Sequence, residues 1–327
     1  MSNLNELVEL VKGHRLFIQT HDYPDPDAIG AAYGLKCLLN NFDIDAKLCY
    51  DGSLNKISGI RMLEYLDIEF TNYNDINDMS EDDYIILVDA QKYNKNCVDM
   101  RGDEVACIDH HPVFFECEYK YEDIEMVGAC SSIIAKYYFD NNIIPDTNAA
   151  TAMLYGMKMD TNDFGRGVSN LDVEMFYKLY PYADKKILEK MQLNTIEFSD
   201  LKAYGAAISN ISVSGNIGFA CIPFDCADGL IAIISDFLLA LDVVEFSVVF
   251  SIRESGYKFS IRSEIENLNA GKIVGEALKK LGNGSGGGHS FMAGGFLSIN
   301  EINKLGSTDH ERRQKIEDAF MDVIKNV

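Results

Sequence analysis

No stretch of this 327-residue chain approaches the roughly 18 to 20 consecutive apolar residues that a bilayer-spanning helix requires. The first residues, MSNLNELVELVKGHR, also lack the basic start and apolar run of a signal peptide. A cytoplasmic protein without a membrane partner is therefore expected. There is no CxxC pair among the eight cysteines, and only Cys221 and Cys226 lie close together. Most cysteines sit inside apolar segments such as 34–39 and 105–108, where a reduced thiol behaves as a small hydrophobe, so neither a disulfide framework nor a thiolate zinc site is expected. Internal repeats are absent, and NGSGGGHSFMAGG is the one compositionally biased segment. Basic residues are scarce: 29 Lys and Arg stand against 51 Asp and Glu, a formal net charge of −22. Long duplex nucleic acid is bound by neutralising its phosphates, and an acidic surface opposes that. Small anionic substrates remain compatible if metals or a local cation cluster receive them.

What is present is the composition of an ordinary globular protein, with 47% hydrophobic and 24% charged residues. The length exceeds what a single core usually organises, which predicts two domains. Apolar strand-like runs at 15–20, 46–50, 84–88 and 104–108 alternate with helical patterns at about 27–40, 131–139 and 149–159, the signature of a parallel α/β sheet. Polar clusters follow three of these strands: 21–27 after the first, Asp89 after YIILV, and 109–111 after EVACI. Ligands of open parallel sheets bind beyond the carboxyl ends of the strands, so three separate clusters of Asp and His are positioned to converge. The stretch 181–198 is charged and helical in pattern without a strong apolar face, and reads as a connector. Beyond it, β-like runs at 208–222 and 243–263, a helix at 270–281 and the glycine-rich segment form a smaller α+β unit. The domains are accordingly placed at 1–185 and 206–327, with a linker helix over 186–205 and a cleft between the domains.

Chemistry concentrates in a few residue types. In HDYPDPDAIG, Pro24 and Pro26 forbid a regular helix and favour a rigid turn presenting His21, Asp25 and Asp27 at a strand–helix junction. Asp27 also suits the N-cap of the next helix, which leaves His21 and Asp25 unexplained. Asp109-His110-His111 adds a carboxylate and two imidazoles, which a satisfied core feature would also explain. Asp89 ends an almost wholly apolar strand, where a buried carboxylate needs a cation or donors. Asp160 ends an apolar helical run, where the helix dipole favours positive charge rather than an acid. In the second unit, Gly286-Gly287-Gly288-His289 is either a flexible loop or a backbone nest for phosphate. Arg262, on a strand, is either solvent-facing or a planar fork for a phosphate or base.

HDYPDPDAIG, LVDA, CIDHH, GMKMD and GGGH occur in that order and together resemble the motif series of the DHH phosphoesterase family. The first four resemble its catalytic domain, and GGGH its DHH-associated domain of subfamily 1, closest to the nanoRNase and pAp-phosphatase branch. The resemblance implies two divalent ions, Mn²⁺ foremost with Mg²⁺ or Co²⁺ as alternatives. His21, Asp25 and Asp89 would hold one, and Asp27, Asp89, His110 and Asp160 the other. It further implies that His111 acts on the leaving oxygen as a general acid, that Asp109 orients a histidine, and that Arg262, Gly286, Gly287, Gly288 and His289 meet substrate. The implied activity is hydrolysis of short oligonucleotides or pAp-like 3′-phosphonucleotides. Alternatives are a cyclic or linear dinucleotide phosphodiesterase, a pyrophosphatase or exopolyphosphatase-like hydrolase, and, outside catalysis, a nucleotide-sensing binding protein. A pyrophosphatase of the metal-dependent second type would carry a basic SRKKQ-like motif, which is missing. The resemblance leaves a homodimer open. One departure is Thr161-Asn162-Asp163-Phe164-Gly165-Arg166, where relatives resemble DTGxFRFSNT; Arg166 takes the arginine's place at a shifted position, which bears on substrate preference.

Overall fold

The computed structural model describes residues 4–54, 57–193 and 196–326. It divides into two compact units, Met1–Thr195 and Ile196–Val327. The first contains strands β1 (Leu16–Gln19), β2 (Ala46–Tyr50), β3 (Thr71–Asn72), β4 (Tyr84–Val88), β5 (Asp103–Asp109) and β6 (Tyr121–Ile124). Its helices are α1 (Leu4–Val11), α2 (Pro26–Asn40), α3 (Ile57–Leu66), α4 (Cys130–Asp140), α5 (Thr147–Asp160), α6 (Asn170–Leu179) and α7 (Lys185–Gln192). All strand pairings are parallel, in the order β3-β2-β1-β4-β5-β6. Such a sheet must be covered on both faces, and its strands are accordingly apolar on both sides. Leu16 and Ile18 of β1 and Ile86 and Val88 of β4 join the larger core under α2, α4 and α5. Phe17, Ile85, Leu87 and Cys107 face a smaller core on the other side. The strand order reverses between β1 and β4, and this switch point opens a crevice at the carboxyl ends of the strands.

The N-terminal segment is a helix, α1, with Leu4, Leu7, Val8 and Val11 buried. One element departs from the sequence expectation. The linker helix expected over 186–205 is two helices, α7 and α8 (Leu201–Ser209), with residues 194 and 195 of that span outside the described residues. Burial of Leu188 and Met191 gives α7 an apolar face despite its charge, and that face joins the core of the first unit.

The second unit adds β7 (Ser212–Ser214), β8 (Ile217–Ile222), β9 (Phe246–Arg253), β10 (Gly256–Ser263), β11 (Ser285–Gly288) and β12 (Met292–Ser298). Its remaining helices are α9 (Asp228–Leu239), α10 (Ala270–Leu281), α11 (Ile299–Leu305) and α12 (Asp309–Lys325). The sheet order is β11-β12-β10-β9-β8-β7, with β8 and β9 parallel and the other pairs antiparallel. One face packs on α10, α11 and α12, the other on α8 and α9. The glycine-rich run is the edge strand β11, paired with β12, rather than a loop or a nest. At Gly286 the missing side chain serves packing, since a Cβ there would fall 3.0 Å from the Val274 side chain of α10.

Candidate metal centre

The turn after β1 is rigid for reasons beyond its prolines. The amide of Asp22 donates to the Asn96 carbonyl (2.6 Å) and its carboxylate accepts from Val98 N (3.1 Å), so the turn is tied to the chain beyond β4. Asp25, not Asp27, caps α2: its Oδ1 accepts from Asp27 N (3.0 Å) and Ala28 N (3.1 Å), with Pro26 as the first helical residue. Proline suits that position because its missing N–H would go unused there. The expected cap is thereby shifted by two residues, and Asp27 lies inside the first turn of α2. Its buried carboxylate instead accepts from Cys130 N (2.6 Å) and Ser131 N (3.1 Å), the first amides of α4, where the helix dipole favours an anion.

Asp89 follows β4 directly and has φ of 56°, the left-handed region that a residue with a Cβ enters at a cost. At the end of β5, Asp109 is fully buried; its Oδ1 accepts from His110 N (2.8 Å) and His111 Nδ1 (2.9 Å), and its Oδ2 from Gln91 Nε2 (2.7 Å). His110 Nε2 lies 3.2 Å from Asp89 Oδ1 and 3.4 Å from Asp160 Oδ2, and His21 Nε2 lies 3.6 Å from Asp89 Oδ2. Two sets of potential ligand atoms each fall within 4.8 Å of one another: His21, Asp25 and Asp89, and Asp27, His110 and Asp160. A third such set, Asp89, Asp109, His110 and His111, overlaps both. The three strand ends and the end of α5 thus bring together all eight residues singled out in the first unit.

The donor chemistry fits divalent cations. His110 Nδ1 faces the Val127 carbonyl (3.0 Å) and His21 Nδ1 the Asp22 carbonyl (2.8 Å). Carbonyls only accept, so each Nδ1 carries a hydrogen and each Nε2 is left to face the carboxylates. Asp89 Oδ1 is buried and accepts no hydrogen bond of sound geometry from a described residue. Positive charge must sit between these groups, as a proton on the ring or as a metal ion, and backbone carbonyls holding the far nitrogens are the usual outer support of metal-bound histidines. Without metal, the site is short of positive charge. Burial, then Asp89 and Asp160, push the Asp27 carboxyl well above the usual range. Burial, then Asp25, push Asp160 up to about 6. Burial opposes a charge on His110, but Asp89 directly beside it, with Asp27 and Asp160, more than offsets this and raises its pKa well above the ordinary value. His111 differs in kind. Burial again opposes its charge, yet the Asp109 hydrogen bond and Asp89 raise it to about 9, and its side chain is 40% exposed. Without metal its charged form is therefore favoured, with Nδ1 on Asp109.

Residues 15–157 match the DHH family, N-terminal domain, and residues 214–314 match the DHHA1 domain. The chain belongs to the DHH phosphoesterase family. It is 30% identical over 317 residues to the uncharacterized protein MJ1633 of Methanocaldococcus jannaschii, covering 96% of this chain and 64% of that one. Over 150 residues it is 27% identical to the probable manganese-dependent inorganic pyrophosphatase of Streptococcus thermophilus, covering 45% of this chain and 48% of that protein. The chain thus spans less than two thirds of the length of either curated relative. The crystal structure of an exopolyphosphatase-related protein from Bacteroides fragilis superposes with a TM-score of 0.75 at 19% identity, covering 98% of this chain and 94% of that chain, and shares its fold.

For a DHH family member, the supporting cast is what sequence reasoning missed: Gln91, the Cys130 and Ser131 amides, and the Val127 and Asp22 carbonyls. Backbone groups carry no residue signature, and Gln91 stands out only by its place two residues after Asp89. Arg166, the shifted arginine, donates from Nη2 to the carbonyl of Asp160 (3.2 Å). Arg262, Gly286, Gly287, Gly288 and His289 belong to the second unit. Arg262 is neither solvent-facing nor an open fork there. Its Nε lies 2.6 Å and its Nη2 3.5 Å from the two carboxylate oxygens of Asp236 in α9, and Nη1 donates to the Ile261 carbonyl (3.0 Å). Gly286–Gly288 and His289 are exposed. No helix among the described residues is long and apolar enough to cross a membrane.

Proposed function

We propose that this chain is a two-metal phosphoesterase acting on small nucleotides, either short oligonucleotides or pAp-like 3′-phosphonucleotides, in the manner of subfamily 1 of the family. The observation that carries the reading is the convergence of His21 and His110 Nε2 on the buried Asp89 carboxylate, each far nitrogen being held by a backbone carbonyl, an arrangement that suits a metal ion. His21, Asp25 and Asp89 would hold one ion, and Asp27, Asp89, His110 and Asp160 the other, with Asp89 shared. Mixed oxygen and imidazole donors suit Mn²⁺, with Mg²⁺ or Co²⁺ as alternatives. Such ions would acidify a water and neutralise charge developing on the phosphoryl group. The protein's own part is proton handling and placement. Asp109, fixed by Gln91 and the His110 amide, holds Nδ1 of His111, and His111 gives the proton on Nε2 to the leaving oxygen as that bond breaks. Arg262, His289 and the Gly286–Gly288 backbone are proposed to recognise the nucleotide, and engagement of Arg262 would compete with its pairing to Asp236.

The second reading is a pyrophosphatase, favoured by the curated relative of that name and opposed by the missing SRKKQ-like segment. A hydrolysis panel with Mn²⁺ separates the readings: pAp, short RNAs, short DNAs, pyrophosphate and cyclic dinucleotides. Release of nucleotide or phosphate from the short oligonucleotides or pAp is expected. Turnover of pyrophosphate alone would move the chain to the second reading. Tight nucleotide binding without turnover of any substrate would make it a sensor.

A further inference from the structure

Asp172, in the first turn of α6, is fully buried, and its carboxylate makes more contacts than a helix cap requires. Oδ2 accepts from Ser169 N (2.7 Å) and Ser169 Oγ (2.7 Å), which closes a capping box. The same oxygen also accepts from Gly128 N (2.8 Å), and Oδ1 from Ser132 Oγ (2.5 Å), both distant in sequence. Each of these two partners adjoins a support of the metal centre. Gly128 follows Val127, whose carbonyl takes the Nδ1 hydrogen of His110. Ser132 lies in the first turn of α4, beside the Cys130 and Ser131 amides that hold Asp27.

Asp160 is the third member of the set Asp27, His110 and Asp160, and the chain just beyond it packs on the same helix. Past Asp160 the chain runs through Asn162, Asp163 and Phe164 at φ of 50°, 53° and 64°. Three successive side-chain-bearing residues in the left-handed region are costly and persist only where packing dictates them. The Phe164 ring packs edge-on against Phe176 of α6, with centroids 4.8 Å apart. By contrast, the contacts described above for His21 and Asp25 come from the β1–α2 turn itself, through the Asp22 carbonyl and the cap of α2.

We infer that α6, which supplies no ligand, is a positioning element for one ion position only, that of Asp27, His110 and Asp160, and that Asp172 is its anchoring residue. This rests on the two-ion reading given above. Geometry rather than charge is the operative property. In an Asn at 172 the amide oxygen still accepts from Gly128 N and Ser169 N, and its NH₂ donates to Ser132 Oγ.

The test uses the full chain and Mn²⁺ alone, with calorimetric titration for stoichiometry and electron paramagnetic resonance for coupling between ions. The unmodified protein should take up two ions that form a coupled pair. Asp172→Ala should keep one ion at unchanged affinity and weaken the other about ten- to hundredfold, as outer-shell losses at metal sites do. Isolated-ion spectra should then replace the coupled signal. Asp172→Asn should retain most of the second affinity. Ser169→Ala, which removes the cap but not the reach to Gly128 and Ser132, should bind both ions. Should Asp172→Ala not fold, Gly128→Ala provides the same displacement, since a Cβ there would lie 2.7 Å from Asp172 Oδ2, and the same loss of one ion is expected. Unchanged binding of both ions in Asp172→Ala, or equal weakening of both, would overturn the inference while leaving the two-ion reading standing. So would a loss in Asp172→Asn or Ser169→Ala as large as in Asp172→Ala. Failure of the unmodified protein to bind a pair would overturn the two-ion reading itself, and this inference with it.

Discussion

Asp89 carries the heaviest demand of any single side chain, because it is buried, in the left-handed region, and set between His21 and His110, and it is proposed to serve both ions. Asp89→Asn should abolish turnover with Mn²⁺ present, since the one ligand common to both ions is lost. The same change relieves carboxylate crowding, so the melting temperature of the metal-free protein should hold or rise. Near wild-type activity in this variant would end the mechanism. The neighbouring acids set a pH dependence whose sign can be worked out. Asp160 titrates near 6 in the folded metal-free protein against an ordinary 3.8, so its protonated form favours the fold. That contribution is complete below about pH 4 and is lost as pH rises through about 6. Asp27 and His110 are both raised well above their ordinary values and act in the same direction. With a chelator present, the melting temperature should therefore fall as pH rises from about 4 through about 6, and saturating Mn²⁺ should reverse the fall. A melting temperature that climbs with pH in chelator would show that these groups do not govern stability.

Helices α2 and α5 approach closely enough near the site that glycine is needed at the crossing. A Cβ at Gly156 would fall 2.7 Å from Ser131 Oγ and 2.9 Å from Asp27 Oδ1, and one at Gly30 would fall 2.6 Å from the Ala152 carbonyl oxygen. Gly156→Ala should cost about 1–3 kcal/mol of stability from overpacking. It should also lower Mn²⁺ uptake, because the displaced atom is a proposed ligand. Chemical denaturation with and without Mn²⁺ measures both, and an unchanged metal effect would mean Asp27 is no ligand. This crossing explains what the sequence does and does not disclose. The strands β1, β4 and β5 and the helices α2 and α5 were legible because apolar period and polar punctuation are local signals. The polar residues at their ends were legible for the same reason. Which aspartate caps α2 was not, since Asp27 is claimed by amides more than a hundred residues away. Asp172, Gln91 and the pairing of Arg262 with Asp236 were hidden on the same ground. The glycine run misled because glycine serves close strand–helix packing as readily as it serves a loop.

At the scale of the molecule, every proposed ligand lies between residues 21 and 160, inside the first unit, although the acidic excess of −22 belongs to the whole chain. Ion binding is thus expected to act on one unit, and hydrogen exchange on the full chain reads this directly. Ligand at a hundredfold excess over its dissociation constant adds about 2.7 kcal/mol to the state that binds it, about a hundredfold in exchange for amides that open with that state. Mn²⁺ should therefore slow exchange most at amides bonded to the proposed ligands or their supports. Those of Ala28, His110, Cys130 and Ser131 donate to Asp25, Asp109 and Asp27. Amides of β9, β10 and the edge strand β11 touch no proposed ligand and should exchange at nearly the metal-free rate. Slowing concentrated in β11 and the segment around His289 would place the ion in the second unit. The cluster at the β1–β4 switch point would then be a charged core feature and not the metal centre.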